Sequence, residues 1–117
     1  MNRNCPSGRP VGVALVSLLL AIASSTAATF RVATYNLNNY LDQTTESRRE
    51  VKSADAKAKI RESIKAIQPD VIAFEEMGSV SALQELQASL KADGVDLPHW
   101  EHVTGFDTNI HVALLSK

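Results

Sequence analysis

Two short apolar segments of this chain each run into a polar side chain that can do chemistry: FRVATYNLNN carries Asn36 and PDVIAFEEM carries Glu76. A strand that ends in an amide, followed by a helix and a second strand that ends in a carboxylate, sets both side chains on one rim of a sheet. That pairing outlines a site for a hard metal ion and a phosphate. Singly, neither residue says as much, because a Glu at a strand end is ordinarily a solvated carboxylate and an Asn there a turn residue. Strict alternation along the second segment points Glu75 and Glu76 to opposite faces, so the two are not expected to serve as ligands together.

Other candidates are weaker. His99, His102 and His111 lack the closed ligand spacing of a zinc site and are expected as half-buried side chains on strands and their edges. Lys57, Arg61 and Lys65 make one helical stripe that could track a polyanion. Glu46, Glu50, Asp55 and Glu62 are interleaved with the local bases, however, and a solvated helix face is the better reading.

These side chains need elements to position them. Phe30, Val32 and Thr34 alternate with Arg31, Ala33 and Tyr35, predicting a first strand over 30–36. Residues 37–49 are mostly polar and read as a loop. Ala56, Ile60, Ile64 and Ile67 recur at helical spacing, so a helix is expected over 50–68, stopped by Pro69. Residues 70–76 form a nearly continuous apolar run, as in a strand covered on both faces. Strand, helix, strand is a crossover unit. Leu83, Leu86 and Leu90 stripe a second helix, capped by Ser81 with Gln84 or by Ser79. A short strand over 99–103, a turn over 105–109 and an apolar strand over 110–115 complete the α/β order.

The N-terminus reads as a separate signal. Arg3 and Arg9 precede an apolar run over 11–23, and the small residues Ser24, Ser25, Thr26, Ala27 and Ala28 follow, the layout of a secretory signal peptide cleaved after Ala27. The run is short of the ~20 apolar residues that cross a bilayer, which argues against an uncleaved tether. Two units are therefore expected: a signal peptide over 1–27, and a domain over 28–117 that is secreted or periplasmic. Cleavage removes the single cysteine, Cys5, and with it any disulfide scaffold. It also removes Arg3 and Arg9, so that 12 basic residues against 13 acidic become 10 against 13, a net charge of −3 with no global call for nucleic acid or a membrane surface.

TYNLNNYLD, the helix leading into QPDVIAFEEM, and the closing HVALLSK together resemble the first third of the endonuclease/exonuclease/phosphatase family, the deoxyribonuclease-like metal-dependent phosphoesterases. The family pattern is a strand ending in Asn, a helix, a PD(I/V) strand ending in Gln-Glu, and later a strand close to GVAILS(K/R). All three blocks occur here in order. The resemblance implies the N-terminal part of a two-sheet α/β sandwich, incomplete in this chain, and an exported hydrolase of phosphodiester or nuclease type. It implies Mg²⁺ or Mn²⁺ held by Glu76. It makes Asn36 the active-site amide, its oxygen facing the metal or an acidic neighbour and its NH₂ donating to a phosphoryl oxygen. His111 stands where the family usually has Gly and is a candidate to line the substrate cleft. Glu75 departs from the usual Gln. Asp107-Thr108-Asn109 precedes the GVAILS-like strand, whereas the family's Gly-Asp-x-Asn follows it, so it is read as a turn.

The family's general acid/base His, its Gly-Asp-x-Asn and its terminal Asp-His would lie beyond Lys117. The expectation is accordingly a fragment that is poorly folded and inactive alone. The substrate, whether nucleic acid, lipid or small phosphoester, is undecided by these residues. The alternative is a truncated, non-catalytic product with at most a binding role. Coding sequence past Lys117 carrying the missing motifs would support the first reading, and a genuine stop codon the second.

Overall fold

The computed structural model describes residues 28–117, so the expected signal peptide over 1–27 lies outside the described residues. Six elements follow in chain order: β1 (Val32–Tyr40), α1 (Ala54–Ile67), β2 (Val71–Met77), α2 (Val80–Ala92), β3 (His99–Val103) and β4 (His111–Ser116). The strands form one mixed sheet in the order β1-β2-β4-β3. β1 and β2 are parallel, as a crossover through α1 requires, and β4 runs antiparallel to both β2 and β3.

Each helix is bounded by local chemistry. Ser53 caps α1, its Oγ accepting from the Ala56 N–H, so the helix starts four residues later than its periodicity suggests. Gln68 ends it in a left-handed conformation directly before Pro69. Of the two serines available to α2, Ser79 is the cap, accepting from Ala82 N–H, while Ser79 and Ser81 both donate to Asp42 Oδ2.

Both helices pack on the same sheet face. Ile60 and Ile64 of α1 and Leu83, Leu86 and Leu90 of α2 join Leu37, Ile72, Phe74, Ala113 and Leu115 in one buried cluster. Of the basic stripe on α1, Lys65 is exposed while Lys57 and Arg61 are engaged. Lys57 pairs with Glu85 at 2.8 Å and Arg61 with Asp93 at 2.7 Å, clamping α1 to α2 and its C-terminal cap. Among the described residues the second sheet face is uncovered, with Val32, Val103 and Val112 exposed and Val71, Ala73 and Leu114 half-buried. The β2 run is therefore covered on one face, and its continuous apolar pattern overstates its burial.

The largest departure from the sequence reading is β1, which continues to Tyr40 and does not yield to a loop at residue 37. Leu37 and Tyr40 are buried anchors. Between them Asn38 (φ 49°) and Asn39 (φ 62°) take left-handed backbone, a region Asn tolerates better than most residues, and the strand absorbs the irregularity as a bulge. Gly78 lets β2 close against it. A Cβ there would sit 2.6 Å from the Tyr40 carbonyl oxygen, which instead accepts the Gly78 N–H at 2.8 Å. No helix among the described residues is long and apolar enough to cross a membrane.

Candidate functional site

Asn36 faces Glu75 in the β1–β2 register, and beyond that pair both strands lose regular pairing. On β2, Phe74 pairs with Ala113 and Met77 with His111, so two residues, Glu75 and Glu76, oppose Val112 alone. Glu76 is the left-handed residue of this irregularity, at φ 59°. For a long, non-glycine side chain such backbone costs about 1–2 kcal/mol. Strain of this kind gathers where a side chain must be re-aimed.

The bulge brings Glu76 to Asn36. The Asn36 Nδ2 donates to Glu76 Oε1 at 3.0 Å, and the Asn39 N–H donates to Glu76 Oε2 at 3.1 Å. The Asn36 oxygen accepts the Asn38 N–H at 2.8 Å. The amide is thus turned the other way from the sequence expectation: its oxygen is engaged by backbone and its NH₂ holds the carboxylate. Asn36 acts on Glu76 as a positioning group, with one NH₂ hydrogen left over for another acceptor. Among the described residues no Lys, Arg or His pairs with Glu75 or Glu76.

The bulge also undoes the separation expected for the two glutamates. Glu75 and Glu76 border one cleft of about 370 Å³, together with Asn36, Asp107, Phe106 and His111. Its outer wall is the β3–β4 connection, the expected turn. Asp107 Oδ1 accepts the N–H groups of Asn109 at 2.8 Å and Ile110 at 3.3 Å, and its carboxylate takes both terminal nitrogens of Arg48, at 3.5 and 2.8 Å. The backbone N–H of Asn109, then Arg48, hold the Asp107 carboxyl below its ordinary range.

His111 lies on the cleft wall. Its ring is 4.6 Å from that of His102, tilted by 55°, and its Nδ1 is buried with no hydrogen-bond partner among the described residues. Burial, then the neighbouring His102, lower its pKa against the opposing pull of Asp107, favouring the neutral ring. His102 is fixed by a 2.8 Å hydrogen bond to the Gly78 carbonyl, while His99 stands exposed away from both.

Among the described residues no three of His, Cys, Asp and Glu converge as a closed metal cage. The donor set is instead an unpaired carboxylate with a second beside it, fitting a cation that keeps much of its water, as Mg²⁺ does. Sequence reasoning missed the Asn39 N–H on Glu76 and the Arg48–Asp107 clamp. The Asn38-Asn39 pair was the available signal for the first; nothing local foretold the second, which joins residues 59 apart. Compared with protein-family models, curated proteins and solved structures, the chain shows no significant match to any of them.

Proposed function

We propose that this chain contributes Asn36 and Glu76 to the active site of an exported, metal-dependent phosphoester hydrolase with a deoxyribonuclease-like fold. The observation that carries the reading is the strained Glu76, held by Asn36 and Asn39 where parallel β1 and β2 lose regular pairing and left without a cationic partner among the described residues. The ordered sequence blocks and the strand, helix, strand order support the same reading.

In this reading Glu76 holds the Mg²⁺ or Mn²⁺, and Asn36 and the Asn39 N–H fix which carboxylate lone pairs face it. When bound, the ion would neutralise charge on the reacting phosphoryl group. The remaining Asn36 N–H is available to a phosphoryl oxygen. His111, neutral near pH 7, lines the cleft without adding positive charge.

The test is coupled binding. In the full chain, Mg²⁺ is expected to tighten binding of dimethyl phosphate in calorimetric titrations, and Glu76→Ala to remove that coupling. Dimethyl phosphate binding that ignores Mg²⁺, or coupling that survives Glu76→Ala, would overturn the proposal.

A further inference from the structure

Phe106 is the most exposed large apolar residue described, at 107 % of its reference area, and it stands at the mouth of the Glu76 cleft. A phenyl ring carries a large hydration cost when displayed to water. Here it is not displayed by a loose loop. The next residue, Asp107, is tied to two backbone N–H groups and to the Arg48 guanidinium, so the backbone that carries the ring is held beside the cleft. Val103, Ile110 and Val112 continue from it as an apolar wall, with Asn36, Glu75 and Glu76 across the same cleft. An apolar surface and a cation-binding carboxylate therefore meet within reach of one small ligand.

The charges narrow what that ligand is. Three carboxylates and no Lys or Arg line the cleft, and Arg48 is already engaged by Asp107. A polynucleotide binds by giving several phosphates to several cationic side chains, and this cleft offers it none. One phosphate, neutralised by an ion on Glu76, with an uncharged apolar substituent on it, matches both walls.

Resting on the phosphoester reading above, we infer that Phe106 is a specificity-determining residue that packs against an uncharged aryl or alkyl group of the substrate, selecting apolar phosphodiesters over nucleic acid. Phe106 makes this contact face-on or edge-on with an aryl ring and by its face with an alkyl chain.

Calorimetric or ligand-observed NMR titrations of the full chain with Mg²⁺ would use four probes: bis(4-nitrophenyl) phosphate, dibutyl phosphate, dimethyl phosphate and a short single-stranded oligonucleotide. The aryl and butyl esters separate the two kinds of apolar group. The expected result is that Phe106→Ala weakens the better of these two about tenfold, the scale of one aromatic contact, that Phe106→Tyr restores most of the loss, and that dimethyl phosphate changes by less than about twofold. The oligonucleotide is expected to bind no better per phosphate than dimethyl phosphate. Equal affinities of wild type and Phe106→Ala for both apolar esters would overturn the inference. So would tighter binding of the oligonucleotide, or a change in sedimentation with unchanged ester affinity, which would make Phe106 a protein contact. Loss of Mg²⁺-dependent binding of dimethyl phosphate is a separate readout that belongs to the phosphoester reading alone.

Discussion

Glu76 combines three properties at the scale of a single residue: left-handed backbone, two hydrogen-bond donors on its carboxylate, and no counter-charge among the described residues. The amide of Asn36 is one of those donors, so its removal should act through Glu76. Asn36→Ala is expected to weaken Mg²⁺ binding about 10- to 100-fold, the usual cost of losing a group that orients a metal ligand, while leaving the unfolding midpoint nearly unchanged because Asn36 is exposed. Calorimetry with and without the substitution measures both. Affinity unchanged by the substitution would mean that Asn36 orients nothing. That Asn36 and Glu76 lie on neighbouring strands was legible from the strand, helix, strand order. The direction of the amide was not legible, since it depends on the Asn38 N–H turning inward, a backbone choice that residue types leave open.

At the scale of elements, the helices and four strands follow from periodicity and caps, and the largest misreading lies where backbone leaves the regular regions. A run such as Leu37-Asn38-Asn39-Tyr40 reads as a loop because its two amides compete for backbone bonding, yet the buried Leu37 and Tyr40 on either side hold it in the strand. Gly78 depends on the same closure. Gly78→Ala is expected to destabilise by about 1–3 kcal/mol, since the added methyl meets the Tyr40 carbonyl and backbone cannot swing away as a side chain can. Chemical denaturation would register this as a lower midpoint at an unchanged slope, and an unshifted midpoint would show that the β1–β2 closure is loose. Tyr40 also ties layers together: its hydroxyl donates to Glu85 Oε2 at 2.9 Å, and Lys57 pairs with that same oxygen while lying 4.9 Å from the Tyr40 ring centre. Burial first, and then Glu85, hold the Tyr40 hydroxyl far above the ordinary phenol range, so it stays a donor at any working pH. Tyr40→Phe is expected to cost about 1 kcal/mol, modest because Glu85 is partly solvated. A loss of several kcal/mol would mean the network is more tightly coupled than its exposure implies.

At the largest scale, the sheet face left uncovered among the described residues and the titrating groups set the solution behaviour. Val32, Val103 and Val112, exposed at 64 %, 59 % and 53 %, form an apolar surface of the kind that promotes association. Sedimentation velocity is expected to show concentration-dependent association that Val112→Thr reduces, and a strictly monomeric wild type would contradict this. Acid should act in two stages. His111 has a lowered pKa in the fold, so its contribution is present above the ordinary histidine value of about 6.5 and is lost as pH falls through the folded value. Asp42, held low first by the Ser81 hydroxyl, Asp70, held low first by Lys117, and Asp107 contribute above the ordinary aspartate value of about 3.9 and lose that contribution at lower pH. Thermal melts between pH 8 and 3 should therefore decline first below about pH 6.5 and again below about pH 4, with His111→Phe blunting the first decline. A melting temperature that rises on acidification would reverse the assigned signs.

The most direct test of the Glu76 assignment is titration of Mn²⁺ into the isotopically labelled full chain, followed by paramagnetic broadening of its amide signals. The broadening is expected to centre on Asn36, Asn39 and Glu76, to persist in Glu75→Ala and to vanish in Glu76→Ala. Broadening that centres elsewhere, or that is lost with Glu75 and kept without Glu76, would contradict the account.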